Sequence, residues 1–333
     1  MTATPETTKT AWPITFDDVS SARDRIAPYL APTPFRRYPR LSQLVGHGIE
    51  VFVKHENHQP TNSFKIRNGL SFMTALSDED RRRGVVAAST GNHGQGISFG
   101  GKLLGVSVAV CVPAGNNPDK NAAMRALGAT VIEEGGDYDE AVGVMERVAS
   151  SEGRLIAHST NDTRVIAGAG TITLEILAQE PDLDALVIAT GGGSQAVGAM
   201  TVARELAPAL EVYGVQAAGA SAIHDSWHAH TRLTTARADT FAEGVATRTT
   251  YDVTFPALQD GLAGFVTVTD AEIAEALRTI MAETHNLVEG AGAMGFAALP
   301  KLADRLAGKR VGIIFCGGNM DLTLLRRILA REI

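Results

Sequence analysis

The stretch DALVIATGGGSQAVGAMTVARELA (184–207) decides how this chain folds. DALVIA (184–189) is a short apolar run and reads as a buried strand, while AVGAMTVARELA (196–207) reads as the following helix. Between them stand the glycines and serine of TGGGS (190–194). Consecutive glycines let the backbone turn tightly where the strand ends. They leave unpaired N–H groups at the head of the helix. Those amides and the helix dipole together make an anion site, well suited to phosphate. The competing reading is a flexible glycine connection with no ligand. Three glycines and a serine placed right at a strand–helix junction favour the phosphate. No lysine follows the glycines, so a Walker loop is not supported, and the spacing is not the G-x-G-x-x-G of dinucleotide folds.

The same strand–turn–helix grammar recurs on both sides. GVVAA (84–88) runs into ASTGNHGQGIS (88–98), with the helix read over GISFGGKLLG (96–105). Near the C-terminus, VGIIFCGGNMDL (311–322) is an apolar strand that ends in Cys316 and a glycine pair. Ser89, Thr90, Asn92 and the amides beside them suit a carboxylate. Strand ends that feed glycine-rich turns are where open α/β sheets place their ligands. From 84 to 158 the strands VVAA, VSVAVCV, TVIEE and RLIAH alternate with the helical NAAMRALG and YDEAVGVMERVASSEG. A second alternation starts from a helix at 165–179 and passes through ALVIAT, VYGVQA and VGIIFCGG. This order predicts an α/β protein of two lobes, each an open, mainly parallel sheet flanked by helices. The expected division is a large lobe from 1–73 and 160–333, with a smaller lobe, 74–159, inserted in it. Ile273, Leu277, Ile280 and Met281 form the apolar stripe of a core-packed helix over 271–286. Asp17 and Asp18 are expected to cap the first helix.

A second decisive stretch is HENHQPTNSFKIRNG (55–69), which contains Lys65. A lysine between Phe64 and Ile66 is expected to lie out of water. Desolvation disfavours the ammonium form and makes the amine a nucleophile. Arg67 adds a positive charge that pushes the same way if it points inward. Such an amine suits Schiff-base chemistry with a carbonyl cofactor. His55 and His58 flank the lysine and are candidates to line a substrate pocket.

Taken in order, SFKIRNG, STGNHGQG, RVIAGAGTITLEIL (164–177), TGGGS and CGGNMD (316–321) resemble the fold-type II pyridoxal-phosphate enzymes of the serine/threonine dehydratase and serine racemase group. FAEGVA (241–246) and VEGAGAMG (288–295) fall where that family has related stretches, so the resemblance runs from about Ile14 to the C-terminus. The resemblance implies the tryptophan synthase β-like architecture and pyridoxal 5'-phosphate as cofactor. It implies that Lys65 holds the cofactor through a Schiff base and that Gly191, Gly192, Gly193 and Ser194 bind its phosphate. Asn92 would bond the ring hydroxyl, Cys316 would face the pyridine nitrogen and Phe64 would pack near the ring. Ser89, Thr90 and the amides near Asn92 and His93 would hold the substrate carboxylate. The implied reaction is β-elimination from a β-hydroxy amino acid such as L-threonine or L-serine, giving a 2-keto acid and ammonia. An amino-acid racemase, a β-replacement synthase, a dehydratase for a specialised hydroxy amino acid and a cofactor-binding protein without turnover are the alternatives.

The chain departs from the family at informative places. Cys316 stands where serine is usual, and Ser89–Thr90 replaces a pair of serines whose second member serves racemisation. Ser194 closes a loop that is often all glycine, and Asn62 replaces a glycine three residues before Lys65. Gln216 stands where many members have a glutamate that helps bind a divalent cation, so no tight metal site is expected. The cluster His224, His228 and His230 has no matching acidic or cysteine partner at ligand spacing.

Composition agrees with an ordinary globular enzyme. The 333 residues are enough for two lobes with cores of their own, and 44% hydrophobic with 20% charged content is near the globular average. A net charge of −7 argues against nucleic acid and anionic membranes as partners. Two cysteines make no disulfide framework and point to a reducing compartment, with Cys111 read as core packing. No apolar stretch approaches a membrane span, and the N-terminal MTATPETTKT lacks a signal-peptide core and reads as a tail. The expected protein is a cytoplasmic homodimer acting on a small amino acid.

Overall fold

The computed structural model describes residues 12–333, so the MTATPETTKT segment lies outside the described residues. The chain opens with α1 (Phe16–Ile26), β1 (Phe35–Arg37), α2 (Pro39–Val45), β2 (Glu50–Lys54), α3 (Lys65–Thr74) and α4 (Asp78–Arg83). A strictly alternating region follows: β3 (Val85–Ala88), α5 (Asn92–Leu104), β4 (Val108–Val112), α6 (Pro118–Ala126), β5 (Thr130–Glu133), α7 (Tyr138–Glu152) and β6 (Leu155–Ile156). Then come α8 (Thr163–Gln179), β7 (Ala185–Ala189), α9 (Ser194–Leu206), β8 (Glu211–Ala217), α10 (Ala222–Ala229), α11 (Phe255–Gly261) and β9 (Gly264–Val268). The last elements are α12 (Asp270–Thr284), α13 (Gly290–Ala298), α14 (Ala303–Leu306), β10 (Arg310–Ile314) and α15 (Leu322–Leu329).

Two sheets result. One has the order β1-β2-β10-β7-β8-β9 and the other β5-β4-β3-β6. Every pairing is parallel except that of β1 with β2. Parallel strands covered by helices on both faces read as unbroken apolar runs rather than alternating ones. The strands β3 and β4 are buried along their whole length, and β7 over Ala185–Ile188. The pairing of β10 with both β2 and β7 puts the last strand between one from the first sixth of the chain and one from its middle, Val311 lying opposite Val51 and Ala185. The expected α/β architecture is therefore present.

Two local expectations change. The helix read from Gly96 begins at Asn92, so the STGNHG turn is shorter and its last residues are helical. The N-cap of α1 is Thr15, whose side chain accepts from Asp18 N while Asp18 bonds back to Thr15 N. Asp18 completes a capping box and Asp17 lies in the first turn; neither is the cap itself.

The helices α3 and α5, which carry Lys65 and Asn92 at their starts, cross at a glycine contact. A Cβ on Gly96 would lie 2.3 Å from the Lys65 carbonyl oxygen, and one on Gly69 would lie 2.3 Å from the Gly96 carbonyl. No side chain fits there without moving backbone. Gly96→Ala should therefore cost about 2 kcal/mol, an overpacking penalty, read as a lower urea midpoint at unchanged slope. Gly143→Ala in α7, with nothing within 4 Å of its added Cβ, should instead stabilise by about 0.5–1 kcal/mol.

Candidate active site

The carboxyl ends of β3, β7 and β10 open into one cavity of about 830 Å³. All the residues expected to form the site line it: Phe64, Lys65, Ser89, Thr90, Asn92, His93, the glycine loop Gly191–Gly193, Ser194 and Cys316. His55 and His58 do not. His55 is buried, bonded to the Tyr38 hydroxyl at 2.9 Å and stacked on His58, whose Nε2 meets Asn286. Between β2 and α3, His55 is turned into the core while His58 lies exposed, and neither reaches the cavity.

Lys65 is the first residue of α3 and partly buried. Its Nζ lies 5.0 Å from the Phe64 ring centre and 3.5 Å from the Ser159 carbonyl oxygen. Loss of hydration lowers its amine to about 8, against the opposing pull of Cys316 and Glu289. The expected lowering is present, but Arg67 is not its cause. The Arg67 guanidinium turns away and is spent in a buried network, Nε to Glu56 at 2.8 Å and Nη1 to Glu175 at 2.7 Å. Lys54 joins the same Glu175 at 2.6 Å. A buried charge needs such partners, and they neutralise it locally.

The glycine loop ends at Gly193, the N-cap of α9, with φ of +94°, a conformation glycine adopts at no steric cost. No side chain caps this helix, so its first amides face the cavity side uncapped. The loop is also tightly seated: a Cβ on Gly192 would meet Thr160 Oγ1 at 2.1 Å, and Thr254 Oγ1 donates to the Gly192 carbonyl at 2.6 Å. The Nε2 atom of Gln195, in the first turn, is buried without a partner.

Ser89 Oγ accepts from the Gly91 and Gly94 amides at 3.2 and 2.9 Å, which leaves its proton free to donate. His93 holds the Ala157 carbonyl at 2.9 Å, and burial lowers its imidazole to about 3. A neutral ring facing a carbonyl carries its proton on Nε2, so His93 is a fixed wall and not a cation. The Cys316 thiol is pushed well above its ordinary value by burial and by the neighbouring Glu289. Asn62 has φ of +52°, in the left-handed region that asparagine tolerates, which explains how it stands in for glycine.

Several cavity residues carried no role in the sequence reading. Glu289 accepts from Asn92 Nδ2 at 2.7 Å, and burial raises its carboxyl to about 7. Asn319 donates to Asn92 Oδ1 at 2.7 Å. Ion pairs Lys120–Glu243 and Arg248–Asp139 reach from α6 and α7 to the loops opposite. The only sequence signal for Glu289 was an acid directly before the Gly-Ala-Gly start of a helix. Gln216 is fully buried, its amide engaged by His224 N at 2.9 Å and Thr247 at 3.2 Å. Among the described residues no cluster of three or more histidine, cysteine, aspartate or glutamate side chains is placed to hold a metal.

The donor set fits a phosphorylated aldehyde. One partly buried amine of lowered basicity, one uncapped helix start and one unpartnered Gln195 amide share the same cavity. The family model of the pyridoxal-phosphate dependent enzymes matches residues 26–317. An L-threonine ammonia-lyase of Thermotoga maritima is 34% identical over 316 residues, 95% of this chain and 78% of that protein. The catabolic L-threonine dehydratase TdcB of Staphylococcus aureus is 33% identical over 333 residues, 99% of this chain and 96% of that one. Maize serine racemase superposes with a TM-score of 0.91 at 28% identity, covering 96% of this chain and 98% of its own. This chain belongs to the pyridoxal-phosphate dependent enzymes, in the fold-type II group of serine/threonine dehydratases and serine racemases.

Proposed function

We propose that this protein is an ammonia-lyase that eliminates the β-hydroxyl of an amino acid such as L-threonine or L-serine, yielding a 2-keto acid and ammonia. The observation that carries this reading is a lowered Lys65 amine and a neutral Cys316 thiol facing one cavity. Bound pyridoxal phosphate supplies an electron sink that acidifies the α-hydrogen of an attached amino acid. The Lys65 amine would anchor the cofactor, and the same amine is placed to take the α-proton of a bound amino acid. Its lowered basicity places the free amine near working pH. The Ser89 hydroxyl and the first amides of α5, from Asn92 and His93, hold the substrate carboxylate, with Thr90 beside them. The amides of Gly191–Ser194 would hold the phosphate, and Phe64 would pack against the ring. The Cys316 thiol, kept neutral by burial, would meet the pyridine nitrogen and would leave the ring a weaker sink than a carboxylate partner.

The sheet β5-β4-β3-β6 with its helices is taken as the smaller lobe (74–159) between two parts of the larger (1–73 and 160–333). The two cysteines are free, which fits a cytoplasmic setting. Leu206 and Leu322 are more than half exposed, apolar surface that the proposed homodimer would cover. Among the described residues no helix is long and apolar enough to cross a membrane.

Keto-acid release from a panel of β-hydroxy amino acids tests the reaction; a holoenzyme that releases none from any of them refutes it. Lys65→Ala should lose covalent cofactor and nearly all turnover, and borohydride reduction of wild type should label Lys65, not Lys54 or Lys102. Because burial lowers the Lys65 amine, the yield of that label on reconstituting apoprotein should rise as pH passes through about 8, well below an ordinary lysine. Cys316→Ser should keep most of the activity, since a hydroxyl donates a similar bond. A serine variant below about one per cent of wild-type kcat with cofactor bound would exclude the neutral-partner account.

A further inference from the structure

Glu289 has no part in the roles above, and its surroundings give it one. It is the N-cap residue of α13, yet its carboxyl does not cap that helix. Oε1 instead accepts from Asn92 Nδ2 at 2.7 Å. The oxygen of the same Asn92 amide accepts from Asn319 Nδ2 at 2.7 Å, and that nitrogen also donates to the Thr61 carbonyl at 2.9 Å. A carbonyl can only accept, so the Asn319 atom is nitrogen and the Asn92 atom facing it is oxygen. The other end of Asn92 is therefore the nitrogen, as its carboxyl partner requires. A primary amide nitrogen carries two hydrogens. Glu289 takes one, and the second is left for an oxygen in the cavity.

The position of the carboxyl is built, not incidental. A Cβ on residue 317 would lie 2.5 Å from Glu289 Oε1, so Gly317 makes the slot it occupies. The Glu289 amide donates to the Gly317 carbonyl at 3.0 Å, which fixes the residue along that slot. The charged and titratable groups around it come from every neighbouring element: Lys120 of α6, Glu243 of the turn at 243–245, Lys65 of α3 and Cys316 after β10. Lys120 is itself engaged by Glu243. Burial outweighs these influences and brings the carboxyl to about 7.

We propose that Glu289 is a positioning residue for the cofactor: with Asn319 it fixes the Asn92 amide so that the remaining Nδ2 hydrogen is presented to the ring oxygen, and its ionisation tunes that donor. An ionised carboxylate bonds more strongly to the shared N–H than a neutral acid does. It leaves more electron density on the nitrogen and weakens the second N–H through the chain of bonds. The inference rests on the proposed placement of the cofactor ring against Asn92.

The test uses the full-length holoenzyme and the reconstituted apoprotein, with two readouts: absorbance of bound cofactor against pH, and cofactor affinity by fluorescence titration. Wild type should show an absorbance transition centred near pH 7. Glu289→Gln can still accept from Asn92 but cannot ionise; it should keep affinity within about threefold and lose that transition. Glu289→Leu should bind cofactor about tenfold more weakly. A transition that survives in Glu289→Gln, or wild-type affinity in Glu289→Leu, overturns the role of Glu289. If Glu289→Leu fails to fold, the Glu289→Gln titration still decides. Asn92→Leu with wild-type affinity and spectrum would overturn the placement of the ring itself, leaving the elimination reaction to be judged by keto-acid release.

Discussion

A short run of backbone bonds between residues 61–64 and 316–319 holds the site together. Phe64 N donates to the Cys316 carbonyl at 3.0 Å and Gly318 N to the Asn62 carbonyl at 2.8 Å, while Ser63 and Gly317 form an isolated antiparallel bridge. These segments are some 250 residues apart in the chain. Buried backbone groups left unpaired are costly, so this pairing is obligatory once the sheet containing β2 and β10 has formed. It sets Lys65 beside Cys316 and brings Asn319 and Gly317 against Asn92 and Glu289. The left-handed turn at Asn62 lets the first segment reach the second.

Burial then sets the chemistry. In Lys65, Cys316 and Glu289 the largest influence is the same loss of hydration, which disfavours whichever form is charged. The amine becomes less basic, the thiol and the carboxyl less acidic. Lys65 and Glu289, which would otherwise carry charge, are drawn toward their neutral forms, and the Cys316 thiol is held in its neutral form. Lys65 and Glu289 are thereby brought close to neutral pH, where a group can both give and take a proton, while Cys316 keeps its proton. The contrast with Arg67 is instructive. It is more deeply buried than Lys65 but keeps its charge, because Glu56 and Glu175 surround it.

The helices that deliver these residues depend on small side chains. At Gly69 and Gly96 the backbones of α3 and α5 touch with no Cβ between them. This fixes the distance from Lys65 to Asn92 by main-chain contact, which is stiffer than contact between flexible side chains. The glycine loop before α9 is seated in the same way against Thr160 and Gly244. Its glycines therefore serve close packing as well as exposing amides.

The alternation of apolar runs with helical periods was enough to read the parallel α/β architecture, because strand and helix periods are local properties of the chain. The glycine turn at 190–194, the STGNH turn and Lys65 were legible for the same reason: each sits at a strand end or helix start where its residue type has a local meaning. What lay beyond sequence was direction and partnership. Arg67, two residues from Lys65, points to Glu56 and Glu175, and His55 points into the core, because helix and strand geometry send near neighbours to different faces. Glu289 could be placed beside Asn92 only by folding, since 197 residues separate them and their contact depends on the slot at Gly317. The chain alone determined which local elements form and which chemistry they can carry; the tertiary structure decided which side chains are desolvated together, because burial and hydrogen-bond partnership arise only when distant segments pack.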